Sequence, residues 1–451
     1  MHIRFLGATR TVTGSKYLVV TDSREVLVDC GLFQGLKELR RRNWDPMPIE
    51  PRAIDEVVLT HAHLDHSGYI PVLVRDGYRG RIHCTTSTRE LCTILLPDSG
   101  YLQEEEAEYA NRHGYSKHRP ALPLYTMRDA QESLQYFSTT SYNRELDLGV
   151  DISATLIPAG HILGAAMVDM QVGDTSILFS GDLGRPRDPL LPAPSVVKRA
   201  DYLIIESTYG DRLHGDVDPL DQLEEVIVRT SGRGGTVVIP AFAVGRTQTL
   251  LYLLYKLRQA GRIPDIPIFV DSPMAASAIQ IFRRHPLDHR LTAEECEAVC
   301  NVAKATESVE ESKAIDRMHY PRVIISASGM ATGGRVLHHL KVLAPDPRNT
   351  IVFVGHQAVG TRGALMLEGA PTVKIHGEHV PIRADVVALE NLSAHADYSE
   401  MLDWLRNFEE PPRRTFITHG EESAALALKA RIEETLGWKC SVPAYNEIVK
   451  L

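Results

Sequence analysis

The stretch HAHLDH at residues 61–66 constrains the fold of this chain more than any other feature, because it packs three histidines and one aspartate into six positions. It follows an apolar run that predicts a short buried strand. Alternate residues of an extended segment point to the same side, so His61 and His63 can face one point. Asp65 and His66 follow and can turn toward a second point nearby.

Imidazoles combined with a carboxylate are typical ligands of zinc, and two adjacent ligand sets indicate a pair of ions. The alternative is a histidine-rich surface loop that arose by chance. The density of the pattern from Thr60 to His66 makes this the weaker interpretation.

Other apolar runs of the chain also lead into a polar residue that can bind a metal. The residues that follow such runs are Asp29, His161, Asp182 and His419. In an α/β scaffold, functional residues converge from the ends of neighbouring strands, so the recurrence makes coincidence a poor explanation. We therefore expect these residues to share one site with the 61–66 stretch.

The ligand types suggest how two zinc ions would be held. We expect one zinc to bind His61, His63 and His161, and the other to bind Asp65, His66 and His419. Asp182 is expected to bridge them, because a carboxylate has two oxygens and can span ions about 3.5–4 Å apart. Asp29 is expected to accept a hydrogen bond from a ligating imidazole or from the bridging water.

The order of predicted strands and helices divides the chain into three segments. Residues 1–209 alternate short strands with glycine turns, and residues 371–451 return to the same style. Residues 210–370 alternate amphipathic helices with short hydrophobic strands, which indicates a parallel, Rossmann-like sheet. We expect one α/β domain, formed by the first and last segments, that is interrupted by an inserted domain.

Composition narrows the class of protein. The chain has 451 residues, 43% hydrophobic and 24% charged, which is ordinary for a soluble globular protein of two or more domains. Because the formal net charge is −9, a polyanionic substrate must meet a local basic groove rather than the whole surface. Aromatic residues make up 6%, which argues against a base-stacking platform as the main binding device.

Cysteine usage and hydropathy predict a cytoplasmic protein with no membrane contact. The six cysteines form no CxxC pair, so we expect buried thiols in a reducing compartment. No apolar run approaches the length of a membrane helix, and the first residues predict a strand and a turn rather than a signal peptide.

The HxHxDH stretch together with His161 and Asp182 resembles the metallo-β-lactamase superfamily. Glu206, the stretch Ser393–Asp397 and His419 are similar to the three further motifs of its β-CASP branch, which acts on nucleic acids. The resemblance covers essentially the whole chain and is greatest to RNA-processing nucleases similar to the endonuclease subunit of the pre-mRNA cleavage complex. It implies an α/β fold, an αβ/βα metallo-β-lactamase sandwich with an inserted Rossmann-like β-CASP domain. Without the RNA-binding extensions of such relatives, we expect the two core domains to select the RNA.

The resemblance also implies hydrolysis of a phosphodiester bond by a hydroxide that two zinc ions activate, with Asp182 among the catalytic residues. The departing ribose oxygen needs a proton, and Glu206 with His395 is expected to supply it. In this pair the carboxylate would orient the imidazole and favour its protonated form. A purely structural Glu–His pair is the alternative.

Two glycine-containing loops of the middle segment, at residues 240–246 and 326–335, precede helical patterns. Glycine lets a backbone approach a phosphate, and a helix N-terminus presents free N–H groups to it. The residues expected to bind substrate phosphates are Arg246, Ser328, Gly329, Thr332, Gly333, Arg335 and Ser393.

These features predict a zinc-dependent ribonuclease that cuts single-stranded RNA endonucleolytically and leaves a 5′-phosphate. An added 5′-exonuclease activity and a homodimeric state are left open. The alternatives are a DNA nuclease of the same branch, a small-ester or lactam hydrolase, and a non-catalytic RNA-binding subunit. His419 disfavours the first, because DNA-acting relatives typically carry valine there; the inserted domain and the Glu206–His395 pair disfavour the second, and the complete ligand set disfavours the third. A di-iron redox centre would need a more carboxylate-rich set of ligands.

Overall fold

The computed structural model describes residues 1–114, 116–355, 357 and 360–451. Over these residues the chain divides into two compact units. The first unit comprises Met1–Leu213 and His395–Leu451, and the second comprises His214–Ala394.

The elements of the first unit come from both ends of the chain. Its N-terminal strands are β1 (His2–Phe5), β2 (Tyr17–Val20), β3 (Glu25–Val28), β4 (Glu56–Val58), β5 (Arg81–Thr85), β6 (Phe137–Thr140), β7 (Glu145–Gly149), β8 (Ile152–Pro158), β9 (Ala166–Val172), β10 (Thr175–Phe179) and β11 (Tyr202–Ile205). The accompanying helices are α1 (Lys37–Arg41), α2 (Leu64–Ser67), α3 (Ile70–Arg75), α4 (Thr86–His113) and α5 (Met127–Ser133).

The second unit alternates helices with strands. Its helices are α6 (Pro219–Gly232), α7 (Arg246–Gln259), α8 (Pro273–Arg284), α9 (Ala293–Cys300), α10 (Val309–Asp316), α11 (Val336–Leu343) and α12 (Arg362–Leu367). Its strands are β12 (Thr236–Pro240), β13 (Ile268–Val270), β14 (Lys304–Ala305), β15 (Arg322–Ser326), β16 (Thr350–Val354), β17 (Thr372–Ile375), β18 (Glu378–Pro381) and β19 (Asp385–Leu389). The C-terminal part of the first unit adds α13 (Tyr398–Leu405), β20 (Arg414–Ile417), α14 (Glu422–Leu436), β21 (Cys440–Ser441) and β22 (Ile448–Lys450).

The first unit is a sandwich of two sheets. In the described residues each sheet has seven strands, in the orders β22-β1-β2-β3-β4-β5-β6 and β21-β20-β11-β10-β9-β8-β7. Apolar side chains from both sheets form one core, in which the Phe5 ring lies 5.2 Å from that of Phe416 and the Tyr17 ring 5.9 Å from that of Phe179. The expected αβ/βα sandwich is therefore the architecture of this unit.

Parallel pairing brings the carboxyl ends of several strands to one edge of this sandwich. Strands β3, β4 and β5 run parallel in the first sheet, and β10, β11 and β20 run parallel in the second. A hydrogen bond of 3.0 Å from the Tyr17 hydroxyl to Thr418 Oγ1 joins the two sheets at this edge. Polar residues that follow these strands therefore meet, as the sequence pattern predicts.

The second unit is built on a parallel sheet, as the strand–helix alternation predicts. Among its described residues the strand order is β14-β13-β15-β12-β16-β19, and every pairing in this sheet is parallel. Strand β19 pairs with β16, so residues up to Ala394 pack with this unit. The compact unit thus extends beyond the boundary at residue 370 that the sequence suggested, because β19 completes its sheet.

All six cysteines are free and buried, as the sequence predicts. None of the helices in the described ranges combines the length and the apolar character that a bilayer-spanning helix needs.

Candidate metal centre

Three histidines and an aspartate converge beyond the ends of β4, β8 and β10, and their ligand atoms all lie within 4.8 Å of one another. His63 Nδ1 lies 3.1 Å from His61 Nε2 and 3.2 Å from His161 Nε2. Asp182 Oδ2 lies 3.5 Å from His61 Nε2 and 3.4 Å from His161 Nε2. A tetrahedral zinc with ligands at about 2.0–2.1 Å separates its ligand atoms by about 3.3 Å. The four side chains therefore fit one zinc ion.

A second group lies beside the first, and it consists of Asp65, His66 and His419. His66 Nε2 lies 3.0 Å from His419 Nε2, which in turn lies 3.4 Å from Asp65 Oδ2. The other oxygen of the bridging candidate, Asp182 Oδ1, lies 3.2 Å from His66 Nε2. These separations also match the edges of a zinc tetrahedron.

Asp182 thus presents one carboxylate oxygen to each group. It is buried, and within the described part of the chain its Oδ1 accepts no hydrogen bond. A buried carboxylate oxygen normally has a partner, and here a cation between the nitrogens and the oxygens would provide one. The donor set, two histidine-rich groups joined by one carboxylate, fits a pair of borderline-soft ions such as zinc.

Left-handed backbone conformations aim several of these side chains. Gly160 (φ 71°) and Gly181 (φ 53°) directly precede two of the ligands, so the chain turns sharply between strand and ligand at a position that suits glycine. Asp29 (φ 59°) and His419 (φ 46°) adopt positive φ themselves. A non-glycine residue rarely does so, and such strain is typical of functional sites.

Asp29 forms a hydrogen bond with the ring of His66, which is one of the expected ligands. His66 Nδ1 donates to Asp29 Oδ2 at 2.7 Å, which leaves His66 Nε2 for the metal. Asp29 is held in turn by Thr60, whose backbone N–H donates to Oδ1 at 2.8 Å and whose hydroxyl donates to Oδ2 at 2.9 Å. Thr60 was missed as a site residue, although it immediately precedes the histidine-rich stretch.

Thr208 is a second orienting residue that the sequence did not identify. Its hydroxyl oxygen lies 3.1 Å from His419 Nδ1 and donates to the His419 carbonyl oxygen at 3.2 Å. Thr208 therefore fixes the His419 ring so that Nε2 faces His66. Its position two residues after Glu206, at the end of β11, was the available signal.

The electrostatics of the cluster favour neutral imidazoles at His61 and His161 and a positive charge near the carboxylates of Asp182 and Asp29. Burial lowers the pKa values of His61 and His161 well below the ordinary value, and a neutral imidazole is the form that binds a metal. Burial also opposes a charge on His66, but Asp182 and Asp29 outweigh it and raise the pKa of His66 well above the ordinary value. The carboxylates of this half of the site thus attract a cation.

Glu206 and His395 form a pair next to the ligand groups. Glu206 is buried at the end of β11, where its Oε1 accepts from the backbone N–H of Leu183 at 2.6 Å. His395 Nδ1 lies 3.1 Å from Glu206 Oε2 and 3.9 Å from Asp182 Oδ2. Burial opposes a charge on His395, but the Glu206 carboxylate outweighs it and raises the pKa of His395 to about 9. The pair can hold and donate a proton.

The residues expected to bind phosphate belong to the second unit. Ser328 Oγ accepts from the backbone N–H groups of Thr332 at 3.0 Å and Gly333 at 3.3 Å, so the loop closes on itself. Arg335 donates to Asp271 Oδ1 at 2.7 Å and to the Glu307 carbonyl oxygen at 2.9 Å. The 326–335 loop is thus closed by its own hydrogen bonds, and Arg335 is directed at a carboxylate that the sequence did not single out.

The other three of these residues take different positions in the same unit. Arg246 is the first residue of α7. The carbonyl of Gly329 accepts from Gln357 Nε2 at 3.3 Å. Ser393 is buried in the segment that follows β19.

Three family models match the chain. The model of the metallo-β-lactamase superfamily matches residues 10–93, and that of the β-CASP domain matches residues 247–366. The model described as a Zn-dependent metallo-hydrolase RNA specificity domain matches residues 379–443.

Several relatives align over nearly the whole of this chain. A ribonuclease from Thermus thermophilus is 40% identical and aligns over 99% of this chain and 99% of its own. A transcription termination factor from Methanocaldococcus jannaschii is 32% identical over 100% of this chain and 72% of its own length. An RNase J-like protein of the same organism is 31% identical over 100% and 99%. A crystal structure of a protein of unknown function from Enterococcus faecalis, 13% identical, matches with a TM-score of 0.58 over 100% of this chain and 99% of its own, which supports the fold alone.

Proposed function

The chain belongs to the β-CASP family of the metallo-β-lactamase superfamily, and we propose that it is a zinc-dependent ribonuclease that hydrolyses phosphodiester bonds of single-stranded RNA. The observation that carries the proposal is the pair of ligand groups sharing Asp182, with the Glu206–His395 pair beside them. The full-length similarity to a Thermus thermophilus ribonuclease and the match to an RNA specificity domain support RNA as the substrate.

Two zinc ions are the cofactors that this proposal requires. His61, His63 and His161 would hold one ion, Asp65, His66 and His419 the other, and Asp182 both. When bound, such a pair supplies a nucleophilic water at neutral pH and positive charge against the developing charge on phosphorus. The buried residues around the site contribute by excluding bulk water and by fixing each ligand in place.

The chain itself supplies the proton for the leaving group. Glu206 orients His395 through Nδ1, so Nε2 is the nitrogen that carries a proton toward the departing ribose oxygen. The backbone N–H of Leu183 donates to Glu206. This hydrogen bond fixes the carboxylate, and the carboxylate in turn positions the His395 ring beside Asp182. Transfer of this proton lets the 3′ oxygen leave as a hydroxyl and the product keep its 5′-phosphate.

The second unit is proposed to hold the RNA backbone. Its glycine-containing loop 326–335 and the start of α7 lie at the carboxyl ends of neighbouring parallel strands, β15 and β12. This edge of a parallel sheet is where α/β proteins bind phosphates. We assign Arg246, Ser328, Gly329, Thr332, Gly333, Arg335 and Ser393 to this role. Endonucleolytic cleavage within the RNA strand is proposed as the main activity, and 5′-exonuclease activity is proposed as an addition.

A cleavage assay with mapped product ends tests the proposal. The protein loaded with zinc is incubated with RNA and DNA of one sequence, each labelled at the 5′ or the 3′ end. We expect internal cuts in RNA with 5′-phosphate and 3′-hydroxyl ends, abolished by Asp182→Asn. The control variant is Arg128→Ala, which removes an exposed ion pair with Glu132 on α5 and should cut at the parent rate. Preferential cutting of DNA, or turnover of a lactam or thioester without RNA cleavage, would contradict the proposal.

A further inference from the structure

Phe242 departs from the way this chain uses phenylalanine. The chain has ten phenylalanines, and all of them lie in the described residues. Among these ten described phenylalanines, Phe242 is the exposed one, with 41% of its surface accessible. Its neighbours Ala241 and Ala243 are buried. A single exposed apolar side chain is common on protein surfaces, so the position and the surroundings of this ring decide what it can bind.

This ring lies at the place in the second unit where a parallel sheet binds ligands. Phe242 follows β12, from which the chain passes through α7 to β13, two places to one side of β12 in the sheet. From the adjacent β15 the chain passes through α11 to β16, two places toward the other side. The connections after these two neighbouring strands thus leave in opposite directions, and such a switch point opens a crevice outside the carboxyl ends of the strands.

The ring is built into the crevice by close contact with the glycine-containing loop. A Cβ atom on Gly329 would lie 2.9 Å from Phe242 Cδ2 and 3.1 Å from Cε2, so only glycine lets the ring lie along this backbone. The main chain of Phe242 is fixed as well, because its carbonyl oxygen accepts from Thr247 Oγ1 at 2.8 Å. One edge of the ring therefore packs against the loop, and the remainder is exposed to solvent.

The surroundings of the ring favour a polyanion. Arg246, Arg335 and Arg362 lie at the starts of the three helices that follow β12, β15 and β16, and of these Arg335 has its charge balanced by Asp271. Arg362 donates to the carbonyl oxygens of Ala331 and Thr332 at 3.1 and 3.2 Å, and carbonyl oxygens leave its positive charge in place. An aromatic face among positive charges is the combination that binds single-stranded nucleic acid, since the backbone meets the charges and a base meets the ring.

We propose that Phe242 stacks on one nucleobase of the bound single-stranded RNA while the adjacent loop 326–335 contacts its phosphates. The inference rests on the proposed function, and it adds a contact to the base that the phosphate loops do not provide. Stacking on phenylalanine is available to every base, so Phe242 contributes affinity and register without specifying a sequence. A single such ring also agrees with an aromatic content of 6%.

Binding to normal and abasic RNA tests the role of the ring. The His395→Ala background prevents cleavage, and affinities are measured for a short oligouridylate and for an abasic ribose-phosphate chain of equal length. Phe242→Ala and Phe242→Leu should weaken binding of oligouridylate about 5- to 100-fold, whereas Phe242→Trp should retain it. None of the three variants should change the affinity for the abasic chain by more than about twofold.

The controls separate this inference from the proposed function. Val228→Ala removes another exposed apolar side chain of the same unit, on α6, and should bind both oligomers as the parent does. If Phe242→Leu binds oligouridylate like the parent, or loses affinity equally for the abasic chain, the stacking role is wrong while the ribonuclease proposal stands. If the protein with His395 intact neither binds nor cuts RNA, the proposed function is wrong. Parent-like zinc content and circular dichroism of each variant show that it is folded.

Discussion

At the scale of the residue, His395 is the side chain whose role the geometry separates most clearly from metal binding. It lies outside both ligand groups and pairs with Glu206 at 3.1 Å. We expect His395→Ala to keep its zinc and to lose cleavage by roughly 10²–10⁴-fold, because it removes a general acid. The loss should fall on turnover more than on RNA affinity, since the proton is needed as the oxygen departs. Single-turnover rates and elemental analysis measure the two quantities.

A substrate with sulfur in place of the departing 3′ oxygen provides the control for this role. A thiolate leaves without a proton, so His395→Ala should recover much of its lost rate on this substrate. Glu206→Gln should show the same pattern with a smaller loss of rate. The Glu206 carboxylate orients the His395 ring and favours its protonated form, but it does not donate the proton. An emptied zinc site, or cleavage of ordinary RNA at the parent rate, would show that His395 is not the acid.

His419 should behave in the opposite way. Its Nε2 lies 3.0 Å from His66 Nε2, within the second ligand group. We expect His419→Ala to lower the metal content from two ions toward one, because the four protein ligands proposed for that ion, counting Asp182, become three. Thr208→Val, which loses the hydroxyl beside His419 Nδ1, should weaken metal binding roughly 10- to 100-fold without abolishing it. Full occupancy in His419→Ala would remove this residue from the ligand set.

At the scale of the element, a buried charge network ties β13, α10 and α11 of the second unit together. Asp271 follows β13 and is fully buried, and it accepts from His339 Nε2 at 2.7 Å, from Ser312 Oγ at 2.5 Å and from Arg335. His339 donates through its other nitrogen to Asp316 at 2.6 Å. Two cations therefore balance two carboxylates, and the network holds Arg335 at the end of the 326–335 loop.

This network makes the stability of the protein depend on pH. Burial opposes a charge on His339, but Asp271 and Asp316 outweigh it and raise its pKa to about 9. A raised folded-state pKa stabilises the fold fully below about pH 6.5, and the contribution is lost as the pH rises through 9. The difference in unfolding free energy between the parent and His339→Gln should therefore narrow by up to roughly 3 kcal/mol between pH 6 and 10.

The neighbouring histidine of α11 serves as the control for this pH dependence. Burial lowers the pKa of His338, so a His338→Gln variant should not show the narrowing. Denaturant titrations at a series of pH values measure both differences. A constant difference for His339→Gln would mean that this ring is neutral in the folded protein.

The two arginines of the loops should differ in how salt affects RNA binding. For single strands each phosphate contact contributes about −0.7 to the slope of log K against log[salt]. We expect Arg246→Ala to weaken RNA binding and to reduce the slope by about this amount. Arg335→Ala should weaken binding with a smaller change in slope, because Asp271 already neutralises its guanidinium. Unchanged affinity and slope in both variants would place the RNA path elsewhere.

At the scale of the whole molecule, the metal centre joins distant parts of the chain. The side chains of its two groups span residues 61 to 419 and come from both segments of the first unit. We expect elemental analysis to find two zinc ions per chain, and their removal by a chelator to lower the melting temperature by several degrees. Free metal at 100 times its Kd stabilises the folded state by about 2.7 kcal/mol. One ion or none would contradict the ligand assignment, whereas iron or manganese would correct the metal alone.

Much of the metal centre could be predicted from the sequence because each ligand is encoded locally. A carboxylate or imidazole after an apolar run stands at the end of a strand, and parallel strands end at a common edge. Asp29, His161, Asp182 and His419 were identified in this way, and the structure brings all four to the cluster that contains the 61–66 stretch. The metal analyses above test His161, Asp182 and His419 as ligands, and Asp29 is expected to orient His66 instead.

Contacts between loops could not be predicted in the same way. The pairing of Arg335 with Asp271, the packing of Phe242 on Gly329 and the extension of the second unit to Ala394 all depend on the order β13-β15-β12-β16-β19. Asp271 follows the same strand-then-carboxylate pattern as the expected metal ligands, yet its side-chain partners lie 35 to 68 residues further along the chain. A sequence pattern determines which side chains reach the end of a strand, because that depends on the periodicity of a few residues. Which strand ends become neighbours is decided by the packing of the whole sheet, and only the tertiary structure contains it.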